Sequence, residues 1–229
     1  MSTRVTLPPV ESWRRRLFLP AYTIADGARY ARTNPQTIYY WYFGGGGLGP
    51  ALPGKEHQKP LSYYQLVEIA FVATFRQLGV SLQRIRKARQ YLASTLNSEF
   101  PFAEHRLLTE GHHILMELQE VEPDHEIGRL IVADVGGQTA WQPMVGERFA
   151  QFDYEHGLAL KWYPAGRQLS VVIDPRVAFG APTMRGIPTW VLKGRWNAGE
   201  SIEEMQEDFD LERHEITNAL TFEGIEVAA

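Results

Sequence analysis

The sequence predicts an α+β protein with three parts. An N-terminal winged helix-turn-helix comes first, then a small antiparallel β-sheet region, then three short C-terminal helices with helix-turn-helix-like spacing. Three observations predict it. Residues 20–96 carry helix caps and 3.6-residue apolar spacing on both sides of a glycine-rich connection. Residues 101–173 change to short apolar runs between turn residues. The charge divides as the pattern does: the net −4 is composed of +8 over residues 1–100 and −12 over residues 101–229. The segments are therefore 1–19, a basic N-terminal arm; 20–96, the winged helix; 97–173, the β-rich region; and 174–229, the helical C-terminus. Such asymmetry points to modules with different partners. The absence of cysteine excludes disulfides, thiol nucleophiles and thiolate metal sites.

The arm holds Arg14, Arg15 and Arg16, which either contact phosphates or the minor groove, or form a non-specific basic tail. Arg15-Arg16-Leu17-Phe18-Leu19 has the look of a twin-arginine export signal, but Asp26 and Arg29 interrupt the apolar stretch that would have to follow. No apolar run approaches the roughly 20 residues of a membrane helix. A cytoplasmic protein is expected.

Thr23 opens the first helix of the basic module, its hydroxyl accepting from a backbone N–H near Asp26. Asn34-Pro35 opens the second, with Asn34 as cap and Pro35 at the first helical position. Two short helices across a tight turn form a helix-turn-helix, whose second helix enters the major groove by its N-terminal residues. Gln36 is equipped to pair with adenine, and Thr37, Tyr39 and Tyr40 can reach bases or phosphates. The run Gly44–Gly47 with Gly49-Pro50, Pro53-Gly54 and Lys59-Pro60 is a flexible connection able to fold as a wing, with Lys55, His57 and Lys59 near its tip. It is not a phosphate-binding loop, because no Gly-Lys-Ser/Thr follows. Leu66, Ile69, Ala70, Ala73, Phe71 and Phe75 then predict a helix from Ser62 to Gln77 with a wide buried face, and Ser81 starts another.

In the middle, strands are expected at Ile114–Leu118, Leu130–Val135, Gln151–Tyr154, Leu158–Trp162 and Leu169–Ile173. His105, His112, His113, His125 and His156, with Asp124, Asp153 and Glu155, lie in the same region. Adjacent His112 and His113 point to opposite faces of a strand, and no His-Glu-x-x-His or facial-triad spacing occurs. Neither catalysis, metal nor cofactor is expected.

Asp174-Pro175 opens a loop through Gly180 and Gly186. Helices follow at Pro188/Thr189 to Gly199, at Ser201 with a Ser201/Glu204 capping box, and at Ile216–Phe222, ending at Gly224. Residues 200–226 contain ten acidic residues and one basic residue, a surface suited to protein rather than to phosphate.

Two resemblances join these readings. Tyr22–Trp41, Leu61–Leu66 and Leu78-Gly79-Val80-Ser81-Leu82-Gln83-Arg84-Ile85-Arg86 resemble a MerR-type winged-helix DNA-binding domain, with Tyr39 and Tyr42 where that family usually has an arginine and an acidic residue. The long coiled-coil helix of a MerR activator is missing. Residues 171–189, 198–204 and 216–220 resemble a small helical domain of unknown function found in bacterial toxin–antitoxin operons. They carry Gly180, Pro182, Gly186 and Ile187 of its pattern but not its Thr-Arg pair. The combination resembles VapB-class type II antitoxins. It implies a homodimer that represses its own operon through operator DNA and neutralises a PIN-like ribonuclease toxin. Candidate toxin-binding residues are Arg185, Arg195, Trp196, Glu203, Glu207 and Asp208. The alternative is a MerR-like regulator answering to a small-molecule or protein effector.

Overall fold

Five helices begin at the caps the sequence offers, Thr23, Asn34, Ser62, Ser81 and Ser201. The computed structural model describes residues 9–44, 50–52, 54, 56–109, 111, 131–133 and 139–227. Its helices are α1 (Pro9–Phe18), α2 (Ile24–Ala31), α3 (Pro35–Phe43), α4 (Tyr63–Gln77), α5 (Leu82–Leu96), α6 (Pro143–Ala150), α7 (Thr189–Asn197), α8 (Ile202–Phe209) and α9 (Arg213–Phe222). Strands are β1 (Ile131–Ala133), β2 (Thr139–Trp141), β3 (Phe152–Glu155), β4 (Leu158–Trp162), β5 (Val172–Ile173), β6 (Pro182–Met184) and β7 (Ile187–Pro188). β1 and β2 pair antiparallel, and β3 to β7 form a five-stranded antiparallel sheet in chain order. The architecture is α+β. No described helix is long and apolar enough to cross a membrane. The chain divides into two compact units, residues 20–159, and residues 1–19 with 160–229.

In the first unit, α4 is the central element, and Tyr63 to Phe75 are all buried. Ser62 caps it reciprocally with Gln65. Phe71 gathers Phe102, Phe149 and Phe152 at centroid distances of 6.0, 5.0 and 5.7 Å, ring pairs that contribute beyond their buried area. Glu68 and Arg89 form a buried pair at 2.5 Å; Glu68 also accepts from the Phe102 N–H, and Arg89 donates to the Glu99 carbonyl. Arg148 on α6 donates to the Thr74 hydroxyl at 2.8 Å. Burial, then Arg32, pulls its guanidinium down to about 10. Gly27 lies where α2 meets α4, and a Cβ there would stand 3.0 Å from Leu61 Cδ1. The chain entering α2 is fastened by a bridge between Tyr22 and Leu61.

In the second unit, Val171, Met184, Leu192, Ile202, Met205, Leu211, Ile216, Ala219 and Leu220 form the core. Thr189 and Lys193 on α7 donate to the Glu223 carboxylate and carbonyl at the end of α9.

Several expectations are corrected. The basic arm is helical: Leu17 of α1 is fully buried, and Arg16 donates to the Arg176 carbonyl at 3.1 Å. The loop expected through 180–188 contains the β6–β7 hairpin. Arg185 and Gly186, at φ +46° and +88°, make a two-residue turn whose double positive φ matches strand twist. Prolines at both strands hid it, since proline ordinarily demotes a strand. The strand expected at Leu169–Ile173 is reduced to Val172–Ile173, because residues 167–169 form a 3-10 turn and Ser170 takes a left-handed conformation. The middle is less purely β than its pattern implied: residues 105–109 are helical, and Gln142-Pro143 caps α6. Of the connection expected to form a wing, the described residues form no strand; the Ala51 and Leu52 N–H groups donate to the Trp41 carbonyl, and the bridge to Tyr22 is made by Leu61, just beyond it. The strand expected at Ile114–Leu118 lies outside the described residues.

Candidate nucleic-acid interface and acidic surface

Asn34 accepts from the Gln36 N–H at 2.7 Å and, with Pro35, fixes the start of α3. Ile38, Trp41 and Tyr42 are buried, which turns Gln36, Tyr39 and Tyr40 to the opposite, exposed face; Thr37 is half-buried. Thr23 is exposed, but its hydroxyl accepts from the Asp26 N–H and donates to the Asp26 carboxylate at 2.7 Å. Lys59 pairs with Glu56 at 2.6 Å. Lys55 lies outside the described residues.

The structure brings Thr23, Tyr39 and Lys59 around one half-open groove of about 300 Å3, with Ile24, Phe43 and His57 in its walls. The His57 ring stacks on Phe43, with centroids 4.1 Å apart and planes at 23°. Tyr39 stands 4.8 Å from Phe43 and edge-on to His57 at 5.9 Å. Gln36 and Tyr40 do not line the groove. Sequence reasoning passed over Phe43 and set His57 only near the tip of the wing; the run of five aromatics from Tyr39 to Phe43 was the available signal. Arg14, Arg15 and Arg16 are exposed on α1, which belongs to the other unit.

On that unit, Arg195 is held between Glu200 and Asp208 with its guanidinium 5.1 Å over the Phe209 ring. The hydrogen bonds it donates to Asp208 and Glu200 raise its already high pKa. Arg185 donates to the Asp210 carbonyl at 2.8 Å and meets Glu215 at 3.5 Å. Arg213 pairs with Glu203 at 2.6 Å. These arginines thus neutralise carboxylates of their own module. Glu203, Glu207 and Asp208 are exposed on α8. Trp196 is half-buried against the core, and Trp190 is exposed at 62%. Phe179, unmentioned by the sequence reading, is 91% exposed at φ +54°.

Among the described residues no group of three or more His, Asp or Glu side chains is placed to hold a metal. His105 lies beside the Tyr154 ring at 5.1 Å, and His156 occupies the β3–β4 turn at φ +53°. His112, His113, His125 and Asp124 lie outside the described residues.

Residues 171–222 match the family described as "Protein of unknown function (DUF433)". A candidate antitoxin of Mycobacterium tuberculosis, VapB45, is 24% identical over 227 residues, covering 90% of this chain and 94% of that protein. The fold has a counterpart. The crystal structure of Rv2018 from Mycobacterium tuberculosis superposes with a TM-score of 0.78 at 24% identity, covering 90% of this chain and 99% of that one.

Proposed function

We propose that this protein is the antitoxin of a type II toxin–antitoxin pair, a non-enzymatic cytoplasmic homodimer that binds its operator DNA and a PIN-like ribonuclease. The observation that carries the reading is the similarity to VapB45 along nearly the whole of both chains. The charge division is consistent with it. Residues 20–96 hold nine basic and three acidic residues, and the C-terminal helices are acidic. In this reading α2 and α3 form a MerR-like helix-turn-helix, with Gln36 reading a base edge and Tyr40 and Lys59 contacting the backbone. Arg14, Arg15 and Arg16 supply further phosphate contacts. The exposed acids Glu203, Glu207 and Asp208 face the basic rim that an RNA-binding nuclease presents. Arg185 and Arg195 shape that surface through their internal pairs, and Trp196 supports it from the core.

The test is co-expression with the product of the adjacent gene. Formation of a complex and restored growth are expected; neither outcome would survive if the partner is something else. DNA upstream of the chain's own coding sequence should be protected, with affinity falling as salt rises. Protection without toxin neutralisation would favour a MerR-like regulator instead.

A further inference from the structure

We propose that the groove between α3 and residues 57–60 takes one unpaired base of a nucleic-acid strand. The inference rests on the nucleic-acid reading of α3 and specifies the form of nucleic acid that this face prefers. A paired base in a duplex offers only its edges to a protein. Its ring faces are covered by its neighbours until it leaves the stack. The exposed face of α3 is poor in edge-reading groups and rich in ring surface: Gln36 is its one carboxamide, while Tyr39 and Tyr40 are 41% and 53% exposed.

The groove itself is aromatic on several sides. Phe43 and His57 lie nearly parallel, and Tyr39 is turned 68° to His57. Phe43 and His57 cover one face of each other at 4.1 Å, so a planar guest would meet the outer side of this cluster, where stacked and edge-on contacts are both favourable. Its volume of about 300 Å3 lies at the small end of ligand sites, which run from roughly 300 to 1,000 Å3. That suits one base rather than a larger ligand. Lys59 stands at the wall in a surface pair with Glu56, and residues 20–96 hold nine basic residues against three acidic, so the strand attached to a captured base meets net favourable charge.

The full-length chain is titrated into dye-labelled DNA at one salt concentration. The probes are a matched duplex, the same duplex with a single unpaired thymine, and oligo(dT). The unpaired-thymine duplex should bind roughly ten-fold more tightly than the matched one, the scale of one base–aromatic stack. Tyr39→Ala should erase that preference, and Tyr39→Phe should keep it. Circular dichroism should report an unchanged fold, since Tyr39 is exposed. Equal affinity for the two duplexes overturns the proposal and leaves duplex binding standing. Binding to none of the probes overturns both. A preference that survives Tyr39→Ala overturns the assignment to this groove. So does a Tyr39→Ala protein whose DNA preference is intact but whose sedimentation mass has changed, which would give the groove to a second copy.

Discussion

Tyr42 shows how a single hydroxyl can work against its own helix. The side chain is 5% exposed, and its oxygen has no hydrogen-bond partner among the described residues. Burial, with Glu68 adding to it, holds its pKa well above the ordinary phenol value, so the group stays neutral. Removing an unsatisfied buried hydroxyl returns its desolvation cost. Tyr42→Phe should therefore leave stability unchanged or raise it by about 1 kcal/mol in urea unfolding. Glu68 behaves oppositely. Burial raises its carboxyl above the usual range, and Arg89 pulls it back. Arg89→Met should cost about 3–5 kcal/mol at neutral pH by stranding a buried carboxylate. With the cation gone, the folded-state pKa of Glu68 rises further above its unfolded value of about 4.3. The folded protein then gains stability from that proton at low pH and loses it as pH rises through the folded pKa. The deficit of Arg89→Met should shrink between about pH 7 and about pH 5, measured by urea unfolding at each. A deficit independent of pH would show that Glu68 is not the stranded group.

Caps and turns decide where elements begin. Ser201 accepts from the Glu204 N–H at 3.2 Å, and Glu204 accepts from the Ser201 N–H at 2.7 Å. The Ser201 backbone and hydroxyl hold the Glu204 carboxyl below its ordinary value. Ser201→Ala should lower the stability of the full chain by about 1 kcal/mol. The Glu204 half of the cap is present above the unfolded carboxylate pKa and is lost as pH falls through the depressed folded one. The β6–β7 turn gives a cleaner case. Nothing lies within 4 Å of a Cβ built on Gly186, so the cost of Gly186→Ala comes from its φ of +88° alone. That change should destabilise by about 1 kcal/mol or more, and the added methyl should create no clash visible in a crystal structure of the variant.

For the whole molecule, the net charge of −4 describes neither surface. Under the DNA-binding reading, Lys59→Ala should weaken binding about equally for all sequences and lower the salt slope by about one. Gln36→Ala should relax sequence preference instead. Footprinting and salt titrations separate the two outcomes, and equal effects on every sequence would remove Gln36 as the reading residue. Reversing Glu203, Glu207 and Asp208 to lysine should slow association with a basic protein partner more than it speeds dissociation, as rim charges do.

The sequence by itself determined the helix starts at Thr23, Asn34, Ser62, Ser81 and Ser201, because a cap is settled within three or four residues by one side chain and one N–H. It placed β4 at its observed bounds, whereas the burial of Ile38, Trp41 and Tyr42 that leaves Tyr39 and Tyr40 exposed came from the packed structure. It missed β6 and β7, whose proline-containing strands are sustained by pairing with distant partners such as Val172. It could not show that Arg185 and Arg195 are committed to carboxylates 5 to 30 residues away, nor that His57 lies on Phe43. Local hydrogen bonds are written in neighbouring residues; a groove exists only after chain segments far apart have packed, and there the tertiary structure decided.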